Sequence, residues 1–302
     1  MKLSVVIPFF DDRHEADSMV RAVQQSLSQP IEMEFLLMDL HEEPSLPAIK
    51  NRASNQAGGE FVLFLFPGIF PLSGSIEKLL ARLEEDPALA AVAGRWCNAR
   101  GKLEVGYNVR RFPTVTALIL DILLLNKLFP RNRVTRAYKM HDFDHNRAVY
   151  VQHANDCVLM LRRSAILRHT FNESYAPGWF DQVEFCKSLS EADARILFEP
   201  GAEFVSNERV PLISRMVEQQ YAEYRRAEFL YVRNHFGILP AAIARAALVI
   251  GMLVRMGFSI VLPATARRSL LSTLRSYVDD DYVRNLRGAY WRVFKNSLRG
   301  HL

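Results

Sequence analysis

Leu3-Ser4-Val5-Val6-Ile7-Pro8 is a short run of β-branched and other apolar residues that ends at a proline. Such a run predicts a buried strand that leads into a loop. Similar runs follow at Phe35-Leu36-Leu37-Met38, Phe61-Val62-Leu63-Phe64-Leu65 and Ala90–Ala93. Between them, helical spacing of apolar residues or helix-type composition covers residues 15–28, 48–57 and 74–85.

This alternation of strands and helices predicts an α/β fold with right-handed βαβ units and a mainly parallel sheet. In such sheets ligands bind beyond the carboxyl ends of the strands. Three loops follow those ends, at Pro8–Asp12, Asp39–Glu43 and Phe66–Phe70. We therefore expect the functional site to be built from these loops.

The amino-acid composition limits the classes of partner that the protein could bind. The formal net charge of +5 permits an anionic partner, but the basic residues are not clustered enough to indicate nucleic acid. The cysteines Cys97, Cys157 and Cys186 are far apart and lack zinc-site spacing, which is typical of thiols in a reducing compartment. The apolar stretch Val5–Phe10 is too short for a signal peptide, so a cytoplasmic protein is predicted.

The last third of the chain has a different pattern. From about Pro211 it is helical, which predicts an α/β domain over residues 1–210 and a basic helical extension over residues 211–302. Residues 241–262 are strongly apolar but contain Arg245 and Arg255, each of which would cost about 2.5–3.5 kcal/mol near the centre of a membrane span. A helix in the membrane interface with one cationic side is predicted, and a helix packed on the main domain is the alternative.

An arginine-rich tail follows this helix. The arginines after Ala264 would attract an anionic lipid leaflet. Together with the apolar helix, they predict peripheral contact with the inner face of the cytoplasmic membrane.

The ordered segments resemble family-2 glycosyltransferases over nearly the whole chain. The resemblance is carried by Ser4–Phe10, Glu34–Asp39, Asn51-Arg52, Gly59–Leu65, Leu161–Arg163, Phe171–Glu173, Trp179-Phe180 and Ile196–Pro200. Within that family the chain is most similar to bacterial rhamnosyltransferase-like members, which also show an Arg-Arg-Phe-Pro segment (110–113) and a Leu-Phe-Pro-Arg segment (128–131).

The resemblance implies a GT-A fold that binds a nucleotide sugar. The expected donor is a dTDP- or UDP-sugar, and the expected acceptor is a lipid-linked or polysaccharide glycan of the cell envelope. Pro8, Phe9 and Asp39 would line the nucleotide site, where the Asp39 carboxylate can accept a hydrogen bond from a uracil or thymine N–H. The leaving diphosphate needs positive charge, and the acceptor hydroxyl needs a carboxylate that takes its proton.

Three positions depart from the family pattern. Gly68 stands where the metal-binding aspartate is expected, Ser206 where a histidine helps to hold the cation, and Gln182 where the base is expected. Glycine supplies no ligand for Mg²⁺ or Mn²⁺, and a carboxamide does not accept a proton at neutral pH. The sequence therefore predicts no metal site of the family type.

Two hypotheses follow from these departures. In the first, the protein is an active inverting transferase in which Asp181 or Glu184 is the base. Cations then replace the metal at the diphosphate, the candidates being Arg52, Arg209 and Arg215. In the second, it is an inactive glycosyltransferase-like scaffold or binding subunit of a glycan-assembly complex.

Overall fold

A computed structural model describes residues 1–9, 13–42, 45–103, 105–129, 131–206, 219–261 and 290–298. The chain divides into two compact units. The α/β unit contains Met1–Phe112 and Ala137–Val210, and the helical unit contains Pro113–Arg136 and Pro211–Leu302. Arg209 and Arg215, two of the cations considered for the diphosphate, lie outside the described residues.

The α/β unit contains the strands of the structure. They are β1 (Leu3–Phe9), β2 (Met33–Asp39), β3 (Phe61–Leu65), β4 (Ile69–Pro71), β5 (Leu89–Cys97), β6 (Val109–Arg110), β7 (Val149–Val151), β8 (His153–Ala154), β9 (Val158–Arg162) and β10 (Arg195–Ser206). The helices, numbered along the whole chain, are α1 (Arg13–Ser26), α2 (Leu46–Gln56), α3 (Ser75–Glu85), α4 (Val115–Ile122), α5 (Leu125–Leu128), α6 (Arg133–Tyr138), α7 (Arg163–Arg168), α8 (Asp181–Glu191), α9 (Gln219–Phe236), α10 (Ile238–Val261) and α11 (290–298).

The described strands form one eight-stranded sheet in the order β2-β1-β3-β9-β5-β10-β4, with β7 paired to β10, beside a small β6–β8 pair. The two longest registers, β1–β2 and β5–β10, are parallel, as is β1–β3. The predicted α/β fold is confirmed. The sheet is mainly parallel as predicted, and β4, β7 and β9 run antiparallel to their neighbours.

The direction of β9 follows from the path of the chain before it. The segment between β5 and β9 is anchored at the carboxyl edge of the sheet, where the Asn108 side chain binds the backbone N–H and C=O of Trp96 at 2.6 and 2.9 Å. The Asn155 N–H then donates to the Asn108 carbonyl at 2.9 Å. Because β9 starts at this edge, with Val158 opposite Leu65, it has to run against β3 and β5.

Two helices pack on the same face of the sheet. Val6, Phe64 and Leu159 belong to one buried cluster with Ile49 of α2 and Phe185 of α8. Successive strand residues point to opposite faces, and the members of this cluster from β3, β9 and β10 take alternate positions. Side chains that project from α2 and α8 can therefore meet, although the two helices are more than a hundred residues apart in the sequence.

In the helical unit, Arg245 and Arg255 are not oriented as the sequence predicted. The Arg255 guanidinium is buried and donates to the carbonyl oxygens of Ile122 (2.5 Å) and Gly251 (3.1 Å), and Arg245 Nε donates to the Ser297 carbonyl at 2.6 Å. The two arginines thus face the interior of their own unit and do not form an outward cationic side. The carbonyls of Ile122 and Ser297 lie in the last turns of their helices and are free acceptors, which is why they can hold these cations.

Among the described residues, one helical segment is long and apolar enough to cross a membrane, Ile238–Arg255, and 39% of it is buried inside the structure.

Candidate functional site

The carboxyl edge of β1 and β2 brings together the residues predicted for the nucleotide. Phe9 and Asp39 are opposite each other in the parallel register, and the Leu40 N–H donates to the Phe9 carbonyl at 2.9 Å. Pro8 is buried at the adjacent position of β1. The Asp39 carboxylate accepts from the His41 N–H at 2.8 Å, which fixes the side chain at the start of the loop.

Arg52 projects from α2 as an exposed side chain. Its guanidinium lies 3.2 Å from the Glu42 carboxylate, in the loop that follows β2. This contact places the positive charge beside the loop that Asp39 begins. An exposed pair of this kind is weak, so an incoming anion can compete for the guanidinium.

The site contains a buried ion network that the sequence analysis missed. Lys50 of α2 is almost fully buried, and its ammonium donates to Asp181 at 2.7 Å and to Asp156. Asp181 is the first residue of α8 and Asp156 precedes β9. Three distant segments are thus joined at one cation, close to the carboxyl end of β3, where the Phe66 N–H donates to the Cys157 carbonyl.

Charge and burial compete in this network. Burial acts to lower the pKa of Lys50, but the carboxylates of Asp156 and Asp181 outweigh it and raise the pKa above its usual value. For Asp181, burial raises the pKa, against the opposing effect of the ammonium. Lys50 is therefore charged at every pH at which the protein would work, and its Nζ also lies 4.7 Å from the centroid of the Phe171 ring.

The loop before α8 positions Asp181. The Leu46 N–H, at the start of α2, donates to the Pro177 carbonyl at 2.8 Å. Gly178 has φ +141°, and a Cβ there would lie 2.7 Å from the Leu46 Cβ, so only glycine allows this approach. Phe180 also has a positive φ, of 66°. The starts of α2 and α8 are thereby tied together beside Lys50.

Glu184 and Gln182 of α8 differ in their surroundings. Glu184 is partly exposed, and its Oε2 accepts a hydrogen bond from the Tyr175 hydroxyl at 3.1 Å. Gln182 is buried, with Nε2 near the Ala154 carbonyl (3.3 Å) and Cys186 Sγ (3.4 Å). Gln182 Oε1 has no hydrogen-bond partner among the described residues. The amide therefore points into the core.

A neutral histidine lies beside the network. Burial, with the positive charges of Arg110 and Lys50, lowers the pKa of His153 to about 3. The ring is therefore uncharged at neutral pH.

The divalent cation that the resemblance implies does not fit the residues present. Gly68 has φ +78°, which suits glycine in the turn between β3 and β4, but it offers no side-chain ligand. Ser206 pairs with Ile69 and is therefore the neighbour of that turn, yet its hydroxyl is buried. Within the described ranges, no three His, Cys, Asp or Glu side chains form a group that could hold a metal.

Comparisons with known proteins bear on the fold. No family model and no curated protein matches the chain. Among solved structures, it is similar to GalNAc-T7 with UDP, GalNAc and Mn²⁺, at 12% identity and a TM-score of 0.51, over 75% of this chain and 47% of that one. The α/β unit has a GT-A-like fold. It is also similar to S. aureus TarS 1–349 in complex with UDP-GlcNAc, at 14% identity and a TM-score of 0.46, over 99% of this chain and 92% of that one.

The sequence gives a signal for only one of the two missed residues, Lys50 and Asp156. Lys50 is adjacent to Ile49 and three residues before Ala53, so helical spacing places it on the buried face of α2. The composition of residues 48–57 predicts the helix, but it does not indicate which polar side chain turns inward. Asp156 carries no such signal, since its partner Lys50 is 106 residues away.

Proposed function

We propose that this protein is an inverting glycosyltransferase that takes a sugar from a dTDP- or UDP-linked donor. The acceptor would be a lipid-linked or polysaccharide glycan of the cell envelope, and the protein would work at the inner face of the cytoplasmic membrane. One observation carries the proposal: Asp39, Arg52 and the Lys50–Asp156–Asp181 network occupy the carboxyl edge of a GT-A-like sheet. Nucleotide ligands of α/β sheets bind at that edge.

In the proposed reaction the acceptor oxygen attacks the anomeric carbon from the face opposite the leaving group. A new carbon–oxygen bond forms, the bond to the nucleoside diphosphate breaks, and the acceptor proton passes to a carboxylate. Glu184 is the better placed of the two candidates, because its side chain is partly exposed while Asp181 is buried against Lys50. Asp181 would then hold α8 in position through its ion pair.

The diphosphate would be stabilised by a protein cation. Arg52 has a guanidinium that can exchange the exposed Glu42 for two phosphate oxygens. The buried Lys50 keeps its charge, but Asp156 and Asp181 neutralise it, so the proposed cation for the diphosphate is Arg52. No step passes through a metal ion, because Gly68 and Ser206 do not supply the ligands for one.

Binding of the nucleotide is the first test. Thermal shift with UDP and with dTDP, each with and without Mn²⁺, should show stabilisation that does not depend on the metal. Asp39→Ala should remove it, since the carboxylate no longer accepts the base N–H. Asp17→Ala, on the partly exposed face of α1, is the matched control and should keep it. The absence of a shift with either nucleotide would refute the proposal.

Assignment of the base is the second test. Donor hydrolysis and transfer should fall about 10²-fold or more in Glu184→Gln, and the pH profile should lose its acidic limb. Asp181→Asn should weaken folding stability more than it changes the pH profile. Unchanged turnover in both variants would contradict a carboxylate base on α8.

An inactive binding subunit is the second candidate function. It is favoured by the pair Gly68 and Ser206, which leaves the turn after β3 without a metal ligand. In this case nucleotide would bind, with Asp39 required, but neither hydrolysis nor transfer would be detected with any donor.

A further inference from the structure

Within the described part of the chain, the outward face of α10 carries a row of exposed apolar side chains. We name it the apolar stripe, and it consists of Leu239, Ile243, Ala246, Ile250, Leu253 and Val254. Leu239 is 72% exposed and Ile250 56%. A soluble protein rarely leaves a contiguous row of this kind in water unless something covers it.

Helix geometry makes the stripe continuous. At 100° per residue, its six members fall within an arc of about 100°, and they extend about 22 Å along the helix axis. The opposite face is packed inside the helical unit through Ala244, Leu248 and Met252. Arg245 and Arg255 project from the packed side and donate to backbone carbonyls there. The stripe itself therefore contains no charge.

Charge is distributed very unevenly along the chain. Residues 262–302 contain eight of the 38 Lys and Arg and three of the 33 Asp and Glu, so they carry the entire +5. Residues 1–261 are balanced. Helix α10 contains no Asp or Glu, and the excess of positive charge starts directly after it. An apolar surface followed by a cationic segment is complementary to a partner that has an apolar interior and an anionic outer layer.

We propose that the apolar stripe is a lipid-contact surface that enters the outer acyl region of a bilayer containing anionic phospholipids. Helix α10 would lie parallel to the membrane, and residues 262–302 would be attracted to the headgroups. The mode is interfacial, because a spanning helix would expose to lipid the face that now packs and holds two arginines. The inference specifies the membrane contact of the proposed function and does not require transferase activity.

A second copy of the chain is the competing occupant. Two apolar stripes could pair, but pairing would bring two segments of +5 together, and residues 1–261 carry no net negative charge to balance them. Anionic lipid supplies that balance directly. For this reason the bilayer is favoured, and self-association becomes one of the outcomes of the test.

The experiment is vesicle co-sedimentation of the full chain with phosphatidylethanolamine vesicles that contain about 30 mol% phosphatidylglycerol. The variant Ile243→Gln/Ile250→Gln/Leu253→Gln removes three apolar contacts and should lower partitioning about 10²-fold or more. The matched control, Leu72→Gln/Leu167→Gln, changes side chains of the α/β unit that are 43% and 44% exposed. It should bind within about twofold of the unmodified protein.

The depth of insertion into the bilayer and the contribution of charge to binding are measured in separate experiments. Leu253→Trp should be quenched by lipids brominated on their acyl chains, whereas Leu167→Trp should not. Replacing phosphatidylglycerol by phosphatidylcholine, or raising NaCl from about 50 to about 500 mM, should weaken binding at least about tenfold, because residues 262–302 then lose their electrostatic attraction.

Two results would overturn the proposal. One is unchanged vesicle binding in the triple variant. The other is a dimer in analytical ultracentrifugation that the triple variant converts to monomer, without binding to vesicles by either protein. UDP and dTDP thermal shifts on the same variant separate this outcome from failure of the proposed function, since the stripe variant should keep its nucleotide response.

Discussion

Each unit of this protein contains a buried cation held by two carboxylates, and the two networks differ in what they leave unsatisfied. In the α/β unit, Lys50 pairs with Asp156 and Asp181, of which Asp181 is almost fully buried. In the helical unit, Arg225 pairs with Glu228 at 2.5 Å and with Asp121 at 3.3 Å. Asp121 is 40% exposed and also accepts from the Asn126 amide.

The two networks differ in how their carboxylates can respond when the cation is lost. Burial raises the pKa of Glu228 to about 7, although Arg225 opposes it, and Glu228 Oε1 has no partner in the described part of the chain. Glu228 can therefore take up a proton at little cost, and Asp121 keeps its hydration. The Lys50 network joins three segments and has less access to water. It also lies at the edge where a ligand is expected.

The largest effect is expected for Lys50→Met. Two carboxylates lose their cation in a buried place, which should cost about 3–5 kcal/mol of the free energy of unfolding, measured by urea denaturation. Lys2→Met is the matched control, because Lys2 pairs with Glu84 on the surface and should contribute less than about 1 kcal/mol. Equal losses in the two variants would contradict the structural role of the network.

A smaller loss is expected for Arg225→Met. Protonation of Glu228 and hydration of Asp121 should limit it to about 2 kcal/mol. The neighbouring Arg226 is exposed, so Arg226→Met should stay within about 0.5 kcal/mol. A loss in Arg225→Met as large as that in Lys50→Met would remove the distinction between the two networks.

The pH dependence of stability should also distinguish the two units. The folded pKa of Glu228 is about 7, above its ordinary 4.5, so the folded state binds more protons than the unfolded state between these values. Stability of the helical unit should therefore fall as pH rises from about 4.5 to about 7. Glu228→Gln should flatten this slope and add about 1 kcal/mol at pH 8, an increase limited by loss of the charge-assisted bond to Arg225.

Trp291 provides the readout for that experiment. It is the tryptophan of the helical unit, and Trp96 and Trp179 belong to the α/β unit. Fluorescence of Trp291 in a Trp96→Phe/Trp179→Phe background should follow the titration. An unchanged slope in Glu228→Gln would mean that another group controls the pH dependence of the helical unit.

The smallest effect on stability is expected for Arg52→Gln. Its pair with Glu42 is exposed, so the free energy of unfolding should change by less than about 0.5 kcal/mol. Affinity for UDP or dTDP should nevertheless fall about tenfold, because the diphosphate loses a charge-assisted bond. Isothermal titration calorimetry measures this, with Arg21→Gln on the exposed face of α1 as control. Unchanged affinity would remove Arg52 from the proposed site.

Much of the fold could be predicted because its signals are local. The strands β1, β2 and β3 are apolar runs, and the positions of Pro8 and Asp39 at strand ends follow from the same pattern. The direction of β9 could not be predicted from local signals. It depends on hydrogen bonds of Asn108 and Asn155, which anchor the long segment between β5 and β9 at one edge of the sheet.

The sequence by itself determined where the strands end, which loops follow them, and that the positive charge is concentrated after α10. These properties depend on neighbouring residues alone. Only the tertiary structure decided that Lys50, Arg245 and Arg255 point inward. A long cationic side chain turns inward only where acceptors from remote segments replace its water, and here Asp156, Asp181 and two backbone carbonyls do so.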